Sequence, residues 1–246
     1  MPSVFLSPST EEHNEFVIGN TEEYYMNLIA DALEPYLTAA GISFGRNNPA
    51  FSVGHAISLS NIGNYDVYLS LHTNTAPPRL FGRIQGLDAY YYPGSAAGEA
   101  LAQLIVTNLR SIYPYPDLVN AVPNRTHYEL ITSRAAPVLV ELAYHDNEED
   151  AQWIADNIES IARALALSLT QYFGVPFVLP NTLQRGRVDT EGFDIYLREQ
   201  PDFNAAVGGV LLNGADVIVT GESGDWYVVT YNGQSGFVPR NYITLL

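Results

Sequence analysis

The feature that most constrains this chain is a change of hydrophobic period near residue 175. Before it, short apolar runs alternate with longer amphipathic stretches; after it, no helical period survives. Apolar strands separated by helix-length segments predict βαβ units with a parallel-rich sheet. Short alternating strands punctuated by Gly and Asn predict a small all-β barrel. One fold cannot satisfy both patterns, so we read two domains: 1–175, a Pro-punctuated linker at 176–182 ("FGVPFVLPNT" spans the junction), and 183–246. The fold class is therefore α/β, a mostly parallel sheet flanked by helices, followed by a small barrel of about five strands.

Within the first part, residues 3–7 read as a buried strand, and 21–41 as a helix with Thr21 as N-cap and Gly41 as its stop. Pro35 falls inside that helix and is expected to kink or break it. Residues 65–72 ("YDVYLSLH"), 87–93 and 136–144 ("APVLVELAY") read as strands, 95–113 as a helix, and 147–173 as one long helix capped by Asn147. In the second part, Asn232–Gly233 lies between two β runs and predicts a hairpin turn.

Composition narrows the function. The chain has 246 residues, and 11 basic against 27 acidic side chains give a net charge of −16. Both parts are acidic, 7 Arg against 19 acids and then 4 against 8. Such a balance disfavours nucleic acid, whose phosphates demand cations, and equally an anionic membrane surface. No apolar run is long enough for membrane insertion. There is no cysteine, so any metal must be held by His, Asp or Glu. The N-terminus lacks a charged region followed by a long apolar one, so no signal peptide is expected. A monomer is the default expectation.

Two polar residues interrupt apolar strands. Glu141 sits inside "VLVELAY", and a buried carboxylate is normally paired, metal-associated or protonated. His72 ends "VYLSLH". Either could be satisfied in the core, but both lie near the C-terminal ends of strands, the edge where ligands bind in open α/β sheets. His13, in the loop "SPSTEEHNEF", and Glu22 or Glu23, opening the next helix, fall on the same edge. Two imidazoles and a carboxylate with one open position form a common catalytic zinc shell, and a further carboxylate can serve as base toward the bound water.

The order His13, Glu23, "SLHTNT", "PVLVELAYHDN" resembles the zinc-dependent N-acetylmuramoyl-L-alanine amidases of the Amidase_3 type, over roughly residues 2–175. The resemblance implies a peptidoglycan hydrolase that cuts the amide between N-acetylmuramic acid and the L-alanine of the stem peptide. It implies Zn2+ held by His13, Glu23 and His72, with Glu141 as catalytic base. Spacing to "MNL" favours Glu23, whereas helical phase fits Glu22 about as well. The opening loop departs from the family's Gly-His-Gly-Gly pattern and leaves His13 as the histidine available there. A zinc peptidase acting on the stem and a catalytically silent wall-binding protein are the alternatives.

His55 reads as a helix-surface or packing residue. His127 and Arg134 are groove-lining candidates, and His145 a rim contact. Residues 183–246 resemble a bacterial SH3-like (SH3b) domain, which implies binding to the wall. There Trp226, Tyr227, Tyr231, Phe237 and Tyr242 are expected to be mostly core, with one or two forming a groove. The expected place of action is the bacterial cell wall, reached after release or by export without a signal peptide.

Overall fold

The computed structural model describes residues 2–246. It divides into two compact units, one ending at Phe173 and the other spanning Gly174–Leu246. The first contains β1 (Ser3–Pro8), α1 (Glu22–Ala39), β2 (Ser43–Arg46), α2 (Val53–Gly63), β3 (Val67–Asn74), β4 (Leu87–Tyr91), α3 (Ala96–Arg110), β5 (Val119–Pro123), α4 (Tyr128–Thr132), β6 (Ala136–Tyr144), α5 (Glu148–Asp156) and α6 (Ile158–Phe173). Its six strands run in the order β2-β1-β3-β6-β4-β5. Pairing is parallel except between β4 and β6, which are antiparallel.

The sheet explains its own sequence. Val4, Leu6, Leu69, Leu71, Val138 and Val140 are all buried to within 1 % and form the apolar spine. Alternation along each strand then fixes which side every polar residue takes. Phe5 and Tyr68 pack with Ala56 and Ile57 of α2, so Ser7, Ser70 and His72, spaced by two from them, fall on the same side. On the other side α6 packs between α1 and α3.

Several elements differ from the sequence reading. α1 runs unbroken through Pro35. Burial of Leu33, Tyr36 and Leu37 on either side of it outweighs the missing N–H bond. The long helix is two, α5 and α6, parted at Asn157. β2, β5 and α4 are elements of four or five residues, too short to show a period. Among the described residues, no helix is long and apolar enough to cross a membrane.

The second unit holds β7 (Leu179–Val188), β8 (Ile195–Arg198), β9 (Val207–Leu211), β10 (Asp216–Ser223), β11 (Trp226–Tyr231), β12 (Gln234–Pro239) and β13 (Ile243–Leu245). All its pairings are antiparallel, and the seven strands exceed the five expected. The β11–β12 turn places Asn232 at φ 52° and Gly233 at φ 80°, both left-handed, as a twist-matched two-residue hairpin requires. Val188, Leu197, Leu211, Val219, Val229 and Val238 fill the core. Trp226, Tyr227 and Phe237 are buried in this unit. The exposed rings are instead Phe193, Tyr196 and Phe203.

Candidate active site

The C-terminal ends of β1, β3 and β6 meet the N-terminus of α1 at one edge of the first sheet. Thr21 caps α1 by accepting from the Tyr24 N–H at 3.3 Å, which makes Glu22 its first helical residue. A carboxylate there is favoured by the helix dipole. Glu22 turns inward because it shares a helical face with Met26, Ile29 and Leu33, each fully buried. Its Oε1 lies 3.0 Å from His72 Nδ1 and accepts the Thr73 N–H at 3.2 Å. Its Oε2 accepts from the Asn14 amide at 2.7 Å.

His72 is held from both ends: its Nε2 lies 3.1 Å from Glu129 Oε2. Burial alone would lower the imidazole's pKa, but bonds and charge from Glu129 and Glu22 outweigh it and raise it well above the ordinary value. Glu22 and Glu129 are likewise opposed by burial yet held below the ordinary carboxylate range, chiefly by His72. In this state the cluster is an imidazolium between two carboxylates.

Glu141 stands beside His72 in the β3–β6 register and opposite Asp88 in the β6–β4 register. Its Oε2 is sealed from solvent and has no hydrogen-bond partner. Desolvation, reinforced by the charges of Glu22, Asp88 and Glu129 and opposed by that of His72, pushes its pKa up to about 7. The register slips immediately afterwards, with Asn74 opposite Tyr144 and Ala143 at φ 62°. A non-glycine residue in that region costs about 1–2 kcal/mol, and such bulges cluster beside active sites.

The structure does not gather the whole sequence-derived set. His72 and Glu141 sit side by side. Glu22, rather than Glu23, meets His72; Glu23 is half-buried on the helix flank. His13 is exposed on a turn. The loop is pinned by the Glu22 N–H to the Asn14 carbonyl at 2.8 Å and by the Glu15–Thr21 bridge, so Asn14 takes the place beside Glu22. Among the described residues, no three His, Cys, Asp or Glu side chains form a metal-holding group. Glu22 Oε1 and His72 Nδ1 nevertheless fit two adjacent positions of a zinc shell, with an unbonded carboxylate oxygen of Glu141 next to them.

Of the other histidines, His55 is exposed, its ring tilted against Phe51 with centroids 4.7 Å apart. His145 is buried rather than on a rim; its Nδ1 lies 3.0 Å from the Thr73 hydroxyl, and its ring stacks on Phe16. His127 packs 4.8 Å from the Tyr90 ring, and Tyr90 donates to Asp88 at 3.0 Å, which puts all three near Glu141. Arg134 borders a separate pocket with Tyr92, Ser95 and Ile131. Sequence reading missed Asp88, which faces Glu141 through the antiparallel β4–β6 pairing, and Glu129, which comes from a five-residue helix without detectable period.

An acid–base centre on the C-terminal edge of an α/β sheet, with an orphaned carboxylate beside a carboxylate–imidazole pair, defines a hydrolase-type site. The comparisons specify which. Residues 10–171 match the N-acetylmuramoyl-L-alanine amidase family model, and residues 194–244 match the bacterial SH3 domain. The chain belongs to that amidase family and is a peptidoglycan hydrolase acting on the amide between N-acetylmuramic acid and L-alanine. The family is generally zinc-dependent.

Solved structures agree in fold. The N-acetylmuramoyl-L-alanine amidase AmiC2 of Nostoc punctiforme superposes with a TM-score of 0.61 at 21% identity, covering 70% of this chain and 97% of that one. An N-acetylmuramoyl-L-alanine amidase from Clostridium difficile 630 gives 0.60 at 18% identity, covering 70% and 97%. The catalytic domain of the CD27L endolysin targeting Clostridia difficile gives 0.57 at 20% identity, covering 70% and 98%. Among curated protein sequences none matches.

Proposed function

We propose that the Glu22–His72–Glu141 edge is where the amide is cut, with Glu141 as general base and Glu22 and His72 as protein donors to Zn2+. The observation carrying this is the sealed, unbonded Glu141 Oε2 beside an imidazole and carboxylate already 3.0 Å apart. Bound zinc would supply Lewis acidity toward the carbonyl and toward a water. Glu141 would take the water's proton and return it to the departing amine of L-alanine, and its sealed oxygen has no donor to compete for that proton. Asn14 and the Thr73 N–H hold Glu22 in place. Two protein donors are one fewer than catalytic zinc sites usually provide, so zinc should be held more loosely than by a three-ligand shell.

The 183–246 segment serves as a wall-binding module, and the site of action is the bacterial cell wall. The Tyr196 ring, exposed with Arg198 over it at 5.6 Å, supplies a stacking surface that needs no net positive charge. Digestion of purified peptidoglycan tests the reaction: new free amines should be those of L-alanine. Amines of residues further along the stem would make the enzyme a peptidase, and no amine release would leave only wall binding.

A further inference from the structure

Glu129 has no role in the reaction as described, yet more side chains converge on it than on any other group of the site. Tyr68, Ser70 and His72, two apart along β3, share one face of the sheet, and α4 lays Glu129 across all three. Its Oε1 accepts from Ser70 at 2.7 Å and lies 2.9 Å from the Tyr68 hydroxyl and 3.3 Å from that of Ser7. Its Oε2 is left for His72 Nε2 alone. The carboxylate is 5% exposed, so it cannot rotate away into water.

Hydroxyl donors on one oxygen leave the other as a fixed acceptor aimed at the imidazole. An acceptor there keeps the proton on Nε2, and with that proton held, Nδ1 is the nitrogen whose lone pair becomes available, 3.0 Å from Glu22 Oε1. Outer carboxylates of this kind orient metal-bound histidines and fix their tautomer. We propose that Glu129 is the positioning residue of the site, and that it commits His72 to offer Nδ1, beside Glu22, to the metal. This rests on the reading of Glu22 and His72 as zinc donors. Serine and tyrosine on β3 and β1 are then parts of the same device, since each hydroxyl fixes the rotation of the Glu129 carboxylate.

Glutamine at 129 removes the obligation. If its carbonyl keeps the three hydroxyls, its NH2 faces Nε2 and favours the opposite tautomer, with the proton on Nδ1, where it blocks the metal. The experiment is a titration of the chelator-stripped full chain with Zn2+ against a competing indicator, for wild type, Glu129→Gln and Asp150→Asn. Asp150 is a buried carboxylate outside the site, holding Tyr113 and the Gly86 and Tyr144 N–H groups, and controls for loss of packing alone. Glu129→Gln should bind zinc about 10- to 100-fold more weakly, and Asp150→Asn within about twofold of wild type. Ser70→Ala, which removes the shortest bond to Glu129, should shift affinity in the same direction and serves if Glu129→Gln does not fold. Equal affinity in wild type and the position-129 or position-70 variant overturns the positioning role alone, as does an equal loss in Asp150→Asn. A wild-type chain that takes up no zinc overturns the donor assignment, and the positioning role with it.

Discussion

Replacing Glu141 by glutamine should make the metal-free protein more stable and, at the same time, inactive. The structure fixes the sign. Glu141 has an ordinary carboxylate pKa of 4.5 when exposed and about 7 in the fold, because burial removes its hydration. Below pH 4.5 the group is neutral folded and unfolded, and costs nothing. Between 4.5 and about 7 the unfolded chain has released the proton while the folded chain keeps it, so stability falls as pH rises. Above about 7 the full cost is present, about 3 kcal/mol at about 1.4 kcal/mol per pK unit. Glutamine has the same shape and no charge to bury, so it escapes the whole of it.

The assay is thermal or denaturant unfolding of the chelator-stripped wild type and Glu141→Gln, from pH 4 to 8.5. The two should coincide at the acid end and separate steadily toward neutrality. Above pH 7.5 the variant should melt about 6–12 °C higher, at roughly 2–4 °C per kcal/mol for a unit of this size. Zinc uptake should survive, while turnover should drop about 10²- to 10⁴-fold, the usual cost of losing a general base. A gap that does not vary with pH, or a variant less stable at pH 8 than wild type, would refute the claim that Glu141 is an uncompensated buried acid. Retained turnover would instead remove it from the chemistry.

The donor pair predicts that Glu22→Gln and His72→Ala abolish zinc uptake by metal analysis, whereas Glu23→Gln and His13→Ala retain it; loss of metal in His13→Ala would mean the opening loop rearranges on binding. A chain ending at Phe173 should fold cooperatively and release L-alanine amines from soluble muropeptides about as fast as the full chain, because Glu22, His72, Glu129 and Glu141 all precede that point. On intact walls it should be slower, since a tethered module raises the local concentration of substrate; equal rates on both substrates would make residues 174–246 a spacer. Tyr196→Ala should weaken co-sedimentation of the 174–246 unit with purified walls by about 1–2 kcal/mol at high salt, and binding that vanishes with salt in the wild type would point to charge instead of stacking.

How much of this was legible depended on the length of the signal. β3 and β6 are long apolar runs, so the polar residues interrupting them, His72 and Glu141, stand out in the sequence alone. The choice between Glu22 and Glu23 was also written in the chain: Glu22 is in phase with Met26, Ile29 and Leu33 at spacings of 4, 7 and 11, and Glu23 is in phase with half-buried Asn27 and Glu34. The placing of Asn14 rather than His13 beside Glu22 was not legible, because a loop has no period and the backbone pinning that turns Asn14 inward is tertiary. Asp88 depended on strand direction, which alternation cannot reveal, and Glu129 on a helix of barely more than one turn.

The charges of the site bear on why it takes this form. Glu22, Glu129 and Glu141 lie around His72, with Asp88 opposite Glu141, and no Arg is bonded to any of them among the described residues. Left ionised together, four carboxylates against one cation would repel strongly in a partly dry site. The structure relieves this in two ways: hydroxyls and amides stabilise Glu22 and Glu129 as anions, and Glu141 is left without donors, so the surplus proton collects there. The asymmetry assigns the work. The two bonded carboxylates are fixed in charge and can orient His72, and the unbonded one is free to gain and lose a proton, which is what a general base must do at each turnover. A divalent cation placed against Glu22 and His72 would discharge the same excess.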